Sequence, residues 1–476
     1  MTTSESLGNK IRILVAICSY GEKNLHLLRE IIQRYQNMPI TVDVVVLSEA
    51  PKELGPKVKV IVGLPTKNPW SLPFGHKAIF AREVEKYDLF LYSEDDIQFT
   101  ERNIEGFLRA SRELKADEVA GFLLYERDRM GTIWLTGFWE NFHWEPESVR
   151  RRGSYTVAEF TNLHSASYLL TQAQLKRAIA SGGFLRGPHE GLYDLLCSAA
   201  TDPYTSCGFR KVICISAVED FLVHHTPNRY TGISYLSLTS LERQVHTLMN
   251  IRDGVHPPRS LFEIKAKFSN FWWQKSYCER PSKQLLGLIP GNVSRVLSIG
   301  CGWGDTEAKL KERGAEVTAL PLDSVIGASA VGRGIEILNG TWEECSHKLN
   351  GRWFDCVVMT NLLHLLPKPR EVVDQCSQWL GEGGTLVFGG PNFERIPWLA
   401  KRVLGLGEFG KLRNFSLGGI SICGPAMLAK QLRRGGFRVT AVQWFDYGSS
   451  RGALRQTRMP GTRFWSRDWV LQARRR

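Results

Sequence analysis

The stretch Val296-Leu-Ser-Ile-Gly-Cys-Gly-Trp-Gly-Asp-Thr-Glu307 decides the fold of the second half of this 476-residue chain. An apolar run ends in three glycines at alternate positions, Gly300, Gly302 and Gly304, and helix-forming residues follow. A strand, a glycine turn and a helix let the backbone approach an anionic or nucleoside ligand without side chains in the way. The dinucleotide fingerprint would need a further glycine where Asp305 stands, so the spacing disfavours a nicotinamide or flavin cofactor.

Strand and helix patterns alternate after this motif. The apolar run Val317 to Leu322 ends at Asp323, a carboxylate placed where it could take ribose hydroxyls. Phe354 begins another buried strand, Glu371 to Leu380 has the periodicity of an amphipathic helix, and Thr385 to Gly389 is the next strand. Strands that alternate with helices predict a parallel, doubly wound α/β sheet.

Residues 293–447 closely resemble the class I S-adenosylmethionine-dependent methyltransferases. The glycine motif, the segment "FDCVVMTNLLHLL" from Phe354 and the strand "LGEGGTLVFGGPN" from Leu380 match that family in order. The resemblance implies a Rossmann-like fold and S-adenosylmethionine as cofactor. The cofactor-binding residues implied are Gly300, Gly302, Gly304, Asp323 and Asn361. One departure concerns the family's usual acid on the second strand, which aligns nearer Pro321 than Asp323 and leaves the ribose contact open.

The acceptor side of this domain offers one titrating side chain and an insert. His364 follows the fourth strand at the mouth of the site, so we predict it as a catalytic base for a hydroxyl acceptor. The alternative is a histidine that only shapes the pocket. Asn392 to Gly424 separates the last regular strands, and we expect this insert to cover the acceptor and decide the substrate.

Three adjacent acids, Glu94, Asp95 and Asp96, follow an apolar strand that starts at Asp88 in the first half of the chain. They repel one another, so they need solvent or a cation. In extended chain Glu94 and Asp96 point to one face and Asp95 to the other. Two hard oxygen ligands on one side suit Mg²⁺ or Mn²⁺ bridging a diphosphate. The alternative is an acidic loop that caps the next helix.

Residues 8 to roughly 235 resemble nucleotide-sugar glycosyltransferases of the GT-A fold, a mixed-sheet architecture. The segment "ICSYGEKN" stands where that family has its opening strand and loop. The segment "YDLFLYSEDDI" occupies the position of its D-x-D metal motif, although the acids here read Glu-x-Asp. By this resemblance the divalent metal, Mn²⁺ or Mg²⁺, is held by Glu94, Asp96 and His225. The residues implied near the nucleotide sugar are Tyr20, Glu49 and Asp95.

A glycosyltransferase that inverts its donor needs a general base on the acceptor hydroxyl. The segment Arg186 to Asp194 combines Gly-Pro with several polar residues, as expected of a loop that feeds a helix into a cleft. We predict Glu190 and Asp194 as catalytic candidates, with Glu190 first because it lies closer to the loop. A capping or salt-bridging role is the alternative for Asp194, and retention and inversion both stay open.

The join between the halves lies at the turn Asp253 to Pro258. It divides the chain into a glycosyltransferase-like domain, residues 8–255, and a methyltransferase domain with a basic C-terminal region, residues 256–476. Between Phe262 and Leu288 the pattern predicts a helical lead-in rich in aromatic residues.

Positive charge is concentrated at the C-terminal end. Between Arg395 and Arg476 the chain has 17 lysines and arginines against three acids, whereas its total formal charge is only +13. Such a region attracts polyanions, and the neighbouring aromatics Phe464, Trp465 and Trp469 favour a binding surface over a merely solvated one.

Composition excludes several classes of protein. A hydrophobic content of 43% and a charged content of 23% are those of a soluble globular protein. No apolar run approaches the roughly 20 residues that cross a bilayer. The ten cysteines contain no C-x-x-C pair, which favours reduced thiols over a zinc site or disulfide framework. We therefore expect a cytoplasmic protein whose basic C-terminal region contacts the inner face of an anionic membrane.

The two resemblances together predict a bifunctional enzyme of glycan or glycolipid biosynthesis. One domain would transfer a sugar from a nucleotide sugar, and the other would O-methylate a sugar hydroxyl on a glycan or lipid-linked saccharide. The alternative is an RNA or polyanion methyltransferase with an inactive glycosyltransferase-like binding module. No separate RNA-binding fold is recognisable, so nucleic acid is not the expected partner. In a third hypothesis either domain is a non-enzymatic scaffold.

Overall fold

The computed structural model describes residues 11–138, 141–231, 236–264, 266, 273–275, 277, 281–446 and 462–476. They form two compact units, of which unit one holds residues 11–138 and 143–255 and unit two holds residues 141–142 and 256–476. Residues 448–463 are rich in glycine, serine and arginine, which predicts a loop, and most of them lie outside the described residues.

Unit one is built from short strands and six helices among its described residues. The strands are β1 (Arg12–Cys18), β2 (Thr41–Ser48), β3 (Val58–Val62), β4 (Leu89–Glu94), β5 (Ile97–Gln98), β6 (Glu118–Ala120), β7 (Leu123–Arg127), β8 (Ile133–Leu135), β9 (Trp144–Arg152), β10 (Tyr155–Phe160), β11 (Ser167–Thr171), β12 (Arg210–Cys214), β13 (Leu222–His225) and β14 (Leu236–Ser237). The helices are α1 (Leu25–Gln36), α2 (Gly75–Glu83), α3 (Glu101–Glu113), α4 (Gln172–Ala180), α5 (Leu195–Thr205) and α6 (Leu238–Arg252).

The main sheet of unit one has the strand order β11-β4-β1-β2-β3. Neighbouring strands are parallel except for β11, which runs antiparallel to β4. Six of the seven residues of β1 are buried, because a parallel strand covered on both faces is apolar along its length. The carboxyl ends of β1, β2 and β4 therefore meet at one edge, and the residues that follow them are Tyr20, Glu49 and the acids from Glu94.

Two smaller sheets complete unit one, with the orders β6-β12-β10-β9 and β14-β8-β7-β13-β5. In the second of these, β13 pairs antiparallel with β5, so that His225 lies opposite Ile97. This pairing brings a histidine that is 129 positions away in sequence next to Asp96, the residue before Ile97. The mixed-sheet character predicted for the N-terminal half is thus present, whereas its assignment to the GT-A fold stays a prediction.

Unit two has one large sheet with helices in the connections. The strands are β15 (Arg295–Cys301), β16 (Glu316–Pro321), β17 (Glu336–Ile337), β18 (Phe354–Thr360), β19 (Leu380–Pro391), β20 (Phe437–Phe445) and β21 (Asp468–Arg475). The helices are α7 (Lys283–Leu288), α8 (Asp305–Glu312), α9 (Ser324–Val331), α10 (Trp342–Lys348), α11 (Pro369–Gln378), α12 (Ile396–Val403), α13 (Phe415–Gly418) and α14 (Pro425–Arg434).

The strand order in unit two is β17-β16-β15-β18-β19-β21-β20. The first five strands are parallel, and β21 is antiparallel to both of its neighbours. The order reverses at β15, so a crevice opens at the carboxyl ends of β15 and β18. The predicted α/β class and the Rossmann-like fold of the C-terminal region are confirmed.

Two further findings concern the helices. The predicted helical lead-in from Phe262 to Leu288 was too long, because within its described residues only Lys283–Leu288 is α-helical. No helix in the described part of the chain has both the length and the apolar character needed to cross a membrane.

Candidate functional site

The turn after β15 leaves no space for side chains. A Cβ at Gly302 would overlap the backbone carbonyl oxygen of Tyr277. Gly300 and Gly304 have positive φ angles of 77° and 84°, and Cβ atoms there would lie 2.5 Å from Leu362 and 2.7 Å from Ala330. The loop is therefore held as bare backbone, which is the surface that a nucleoside or carboxylate ligand can approach closely.

A cleft of about 350 Å³ opens beside this turn. Its floor comes from the ends of β15 and β18, and Lys275 and Glu307 lie in its wall. The buried Lys275 donates from Nζ to the Thr360 carbonyl oxygen at 3.1 Å. Ser298 donates from Oγ to Glu307 at 2.5 Å, which orients that buried carboxylate. The cleft thus combines the bare backbone of the glycine turn with a buried lysine and a buried carboxylate.

Asp323 lies just beyond β16 and is buried. Its Oδ1 accepts the backbone N–H groups of Val325 and Ile326 at 2.9 and 2.8 Å and so caps α9. Burial raises the pKa of Asp323 to about 6, although these two hydrogen bonds act in the opposite direction. The carboxylate is therefore ionised at neutral pH but close to its titration range.

Asn361 follows β18 with a φ of 50°, an uncommon backbone conformation for a residue other than glycine. It lines a second cleft of about 270 Å³ together with Gly390 and Asp468. The first and second clefts share Leu285 and Thr360 in their walls. Asn361 is thus placed between the glycine turn and a cavity that could hold a second molecule.

His364 lies in a short 3₁₀ turn, Leu363–Leu365, and is 3% exposed. Its Nε2 donates to the Trp273 carbonyl oxygen at 2.8 Å, which leaves Nδ1 as the basic nitrogen. Burial lowers the pKa of His364 to about 4, so the ring is neutral at physiological pH. A Cβ at Gly390 would lie 3.9 Å from Nδ1, which places this nitrogen near the second cleft.

The acids of unit one lie at the carboxyl edge of its main sheet. Burial raises the pKa of Glu94 to about 8, and the neighbouring carboxylates of Asp96 and Asp95 add to the effect. Asn24 donates from Nδ2 to Asp95 at 2.8 Å and to Asp96 at 3.1 Å. Glu94 is therefore largely protonated at neutral pH, because it is buried and two carboxylates lie beside it.

Asp96 is 5% exposed, and its two oxygens differ. Oδ2 accepts from Arg229 at 3.0 Å and faces His225 Nε2 at 3.6 Å. Oδ1 is buried and has no hydrogen-bond partner. Burial alone would lower the pKa of His225, but the carboxylates of Asp96 and Glu126 raise it. Oδ1 of Asp96 is therefore a buried acceptor with the capacity to take a hydrogen bond or a cation.

The other predicted residues of unit one occupy two loops. Glu49 accepts the backbone N–H of Gly21 at 2.9 Å, which ties the loop after β2 to the loop that contains the exposed Tyr20. Asp194 caps α5 through the N–H of Cys197 at 2.9 Å, and its charge raises the pKa of Glu94. Glu190 is exposed on the preceding loop. The structure thus groups Asp194 with the acids, while Glu190 faces solvent.

The described residues contain no group of three or more histidines, cysteines and acids arranged to hold a metal ion. Glu94, Asp96 and His225 are neighbours, but His225 binds Glu126 through Nδ1 at 2.6 Å and Arg229 occupies Asp96. The divalent metal therefore stays a prediction. The nine cysteines in the described part of the chain are all free thiols.

Comparison with known proteins assigns the C-terminal region. Residues 273–442 match a family model described as a methyltransferase domain. This region is a class I S-adenosylmethionine-dependent methyltransferase domain. The match confirms the methyltransferase prediction, and the predicted glycosyltransferase resemblance of residues 8 to roughly 235 stays untested by it.

Curated relatives of the methyltransferase domain include ubiquinone biosynthesis O-methyltransferases. The chain is 28% identical over 152 residues to that of Cronobacter sakazakii, covering 28% of this chain and 62% of the relative. It is 28% identical over 169 residues to that of Escherichia fergusonii, covering 32% and 70%. The Salmonella enteritidis protein is 32% identical over 152 residues, with 28% and 62% covered. The chain thus spans roughly two thirds of the relatives' length, and most of it lies outside these matches.

Solved structures similar to this region include the N-methyltransferase NodS from Bradyrhizobium japonicum in complex with S-adenosyl-L-homocysteine. It shares 19% identity, covers 40% of this chain and 84% of its own, and has a TM-score of 0.28. A methyltransferase from Archaeoglobus fulgidus shares 18% identity, covers 39% and 87%, and has a TM-score of 0.30.

Some site residues were not predicted from the sequence. Lys275 lies in the predicted lead-in, and Asp468 begins β21 close to the end of the chain. In unit one Asn24, the last residue of the segment "ICSYGEKN", and Arg229 contact the acids, and neither was predicted as a site residue. The one signal in the sequence was a lysine within a run of aromatic residues. A lysine in such an apolar stretch indicates a site, because a lysine is almost never fully buried without a partner.

We predict that Gly302→Ala weakens S-adenosylmethionine binding to the methyltransferase domain at least about tenfold, or 1.4 kcal/mol. The added methyl group must displace the Tyr277 carbonyl and with it the turn. Isothermal titration calorimetry measures the change. Gly291→Ala is the matched control, because a Cβ there meets nothing within 4 Å. Equal affinity of Gly302→Ala and the parent protein would show that the cofactor binds elsewhere.

We also predict that S-adenosylmethionine affinity depends on pH through Asp323. The ionised carboxylate is the better acceptor for ribose hydroxyls, and its pKa is about 6. Affinity should be full above pH 7 and fall about tenfold by pH 5, as the carboxylate becomes protonated. Asp323→Asn keeps the capping oxygen, so it should bind more weakly at pH 7 and without this pH dependence. The exposed Glu312→Gln is the control, and a retained pH dependence in Asp323→Asn would exclude the ribose contact.

Proposed function

We propose that the protein is a two-domain transferase of glycan or glycolipid assembly. Unit two methylates a hydroxyl oxygen of a saccharide, and unit one transfers a sugar from a nucleotide donor. The observation that carries the first half is the cleft of bare backbone at Gly300, Gly302 and Gly304, in a region that is a methyltransferase domain.

The residues of the first cleft fit S-adenosylmethionine. The glycine turn admits the nucleoside against its backbone. Asp323 does not line the cleft but follows the neighbouring strand β16, and its carboxylate is the proposed partner of the ribose hydroxyls. The ammonium of Lys275, buried in the cleft wall, is the partner for the carboxylate of the cofactor. The bound cofactor supplies a methyl group that its sulfonium has already activated. The chain's contribution is then to orient the acceptor and exclude water.

The second cleft is the proposed acceptor site. It adjoins the first through Leu285 and Thr360, and Asn361 lies in its wall. His364, through Nδ1, and Asp468 are the candidates for removing the hydroxyl proton. His364 is neutral at physiological pH because its pKa is about 4, so a proton does not block it. The names of the curated relatives support transfer to oxygen.

The support for glycosyl transfer is the edge of the main sheet in unit one. Asp96 carries a buried oxygen without a partner, and the pKa of Glu94 is raised by burial and by the adjacent carboxylates. A divalent cation between Glu94 and Asp96 would satisfy that oxygen and offset the repulsion. His225 would have to exchange its interaction with Asp96 for the metal. Asp95, Tyr20 and Glu49 lie at the same edge, within reach of a nucleotide.

The catalytic base of unit one is proposed among two acids. Asp194 acts electrostatically on Glu94, and its capping bond uses one oxygen. Glu190 is exposed and has the freedom to meet an acceptor from solvent. In a fusion of this kind the product of one domain reaches the other at a raised local concentration.

A second function is favoured by one observation. Phe464 and Trp465 are 45% and 60% exposed beside Arg463 and Arg467, and exposed aromatics with cations suit stacking of nucleic acid bases. In that case unit two methylates RNA or another polyanion, and unit one is a binding module.

For unit two, we predict that the protein forms S-adenosylhomocysteine when it is incubated with S-adenosylmethionine and a saccharide acceptor pool. Gly302→Ala should reduce this activity at least about tenfold through the lost binding energy. Mass spectrometry of the acceptor should show one added methyl group on oxygen. Turnover with RNA and none with any saccharide would favour the second function.

For unit one, we predict that a nucleotide sugar raises the melting temperature of the protein only when Mn²⁺ is present. Asp96→Asn should abolish that shift, because it removes the charge of a proposed ligand. Asp117→Asn, which changes a partly exposed acid on the same unit, should retain it. If no nucleotide sugar raises the melting temperature, glycosyl transfer by unit one is excluded, and only the methyltransferase function of unit two remains.

A further inference from the structure

The segment after β19 carries an exposed apolar surface in unit two. We call it the α12 patch and define it by its exposed members, Ile396, Leu399, Val403, Leu404 and Leu406. Ile396, Leu399 and Val403 are three and seven positions apart, so they share one face of α12. The exposed fractions of Val403 and Leu404 both reach 68%. Exposed apolar side chains that are clustered rather than scattered mark an interaction surface.

The opposite side of α12 holds the segment in place. Trp398 is 4% exposed and packs edge-on against the buried Trp273 at 5.6 Å between ring centroids. Leu412 and Ile420, later in the same insert, are also buried. The α12 patch is therefore the outer face of an anchored element, and its apolar residues are exposed instead of packing in the core of unit two.

Basic residues alternate with this apolar face. Lys401 and Arg402 stand just before Val403, and Arg395 precedes the helix. The two acids of the segment are paired, Glu394 with Arg463 and Glu408 with Lys411. The local charge is therefore positive, within a C-terminal region that holds the whole net charge of the chain.

Exposed aromatic residues adjoin the start of α12. Arg395 donates from Nε to the carbonyl oxygen of Trp465 at 2.9 Å, so Trp465 lies beside the first residues of the helix. Trp465 is 60% exposed and its neighbour Phe464 is 45% exposed. Tryptophan next to basic residues is typical of the zone where a protein meets lipid headgroups.

We propose that the α12 patch docks on the surface of an anionic phospholipid bilayer. Val403, Leu404 and their neighbours enter the boundary between headgroups and acyl chains, while the lysine and arginines meet lipid phosphates. Aliphatic side chains distinguish this occupant from nucleic acid, which is bound by stacking on aromatics. The positive charge distinguishes it from a second copy of the chain, which would bring like charges together.

The docking surface stands next to the proposed acceptor site. The insert begins directly after β19, whose residues Gly389 and Gly390 line the second cleft. A bilayer against α12 would therefore present a lipid-linked saccharide close to that cleft. This consequence rests on the proposed function, whereas the docking itself does not.

Sedimentation of the full chain with vesicles tests the proposal. The two vesicle types are phosphatidylcholine alone and phosphatidylcholine with phosphatidylglycerol at a ratio of 7:3. We expect the protein to bind the anionic vesicles at least about tenfold more tightly, and less tightly at high salt because surface charges are screened. The double variant Val403→Glu with Leu404→Glu should bind the anionic vesicles at least about tenfold more weakly than the parent, because two carboxylates would enter the interface.

Met130→Glu is the matched control, since Met130 is 90% exposed in unit one and should tolerate the same change without loss of vesicle binding. Unchanged melting temperature and calorimetric S-adenosylmethionine binding in the double variant show that unit two is still folded. Vesicle binding by the double variant equal to that of the parent overturns the proposal. The proposal is also overturned if the parent protein fails to bind anionic vesicles. In that case light scattering tests whether the patch forms a dimer that the double variant dissociates, and filter binding tests whether the patch retains RNA.

Discussion

The close approach of Gly302 to the carbonyl of Tyr277 is the constraint on which the methyltransferase domain depends. Trp303 donates its backbone N–H to that carbonyl at 3.0 Å, so the turn after β15 is fastened to a segment that precedes the sheet. The same segment brings Lys275 into the cleft and Trp273 against His364. A side chain at position 302 would disturb the turn, the buried cation and the histidine together.

The sequence predicted the sheets because parallel strands have a strong signature. Runs such as Val317 to Leu322 and Leu89 to Tyr92 are buried on both faces, so they are mostly apolar, and the polar residue that follows each run marks its carboxyl end. Once such strands are parallel, Tyr20, Glu49 and Glu94 must share an edge. This topological argument needs no knowledge of side-chain packing.

The rest of both sites depends on contacts that have no periodic pattern. Asn24 and Arg229 lie near opposite ends of the sequence of unit one, and both donate to Asp96. Asn24 directly precedes α1, and Arg229 lies in the loop after β13. Lys275 lies in a stretch whose aromatic residues suggested a helix. None of the described residues of that stretch before Lys283 is α-helical. A single buried polar residue is fixed by its partners in space, and the partner of Lys275 is the Thr360 carbonyl, 85 positions away.

The acidic edge of unit one and the first cleft of unit two differ in charge, although both lie at carboxyl ends of parallel strands. In unit one, burial and the adjacent carboxylates of Asp96 and Asp95 raise the Glu94 pKa to about 8. In unit two the first cleft is lined by the neutral backbone of the glycine turn, by Lys275 and by the acids Asp305 and Glu307. Asp323, whose pKa is about 6, lies just beyond β16. On the proposed function, the acidic edge of unit one needs a cation before it can bind a phosphate, whereas the first cleft of unit two would take a zwitterionic nucleoside directly. Sheet topology fixes where each ligand lies, and the residues that end the strands fix its charge.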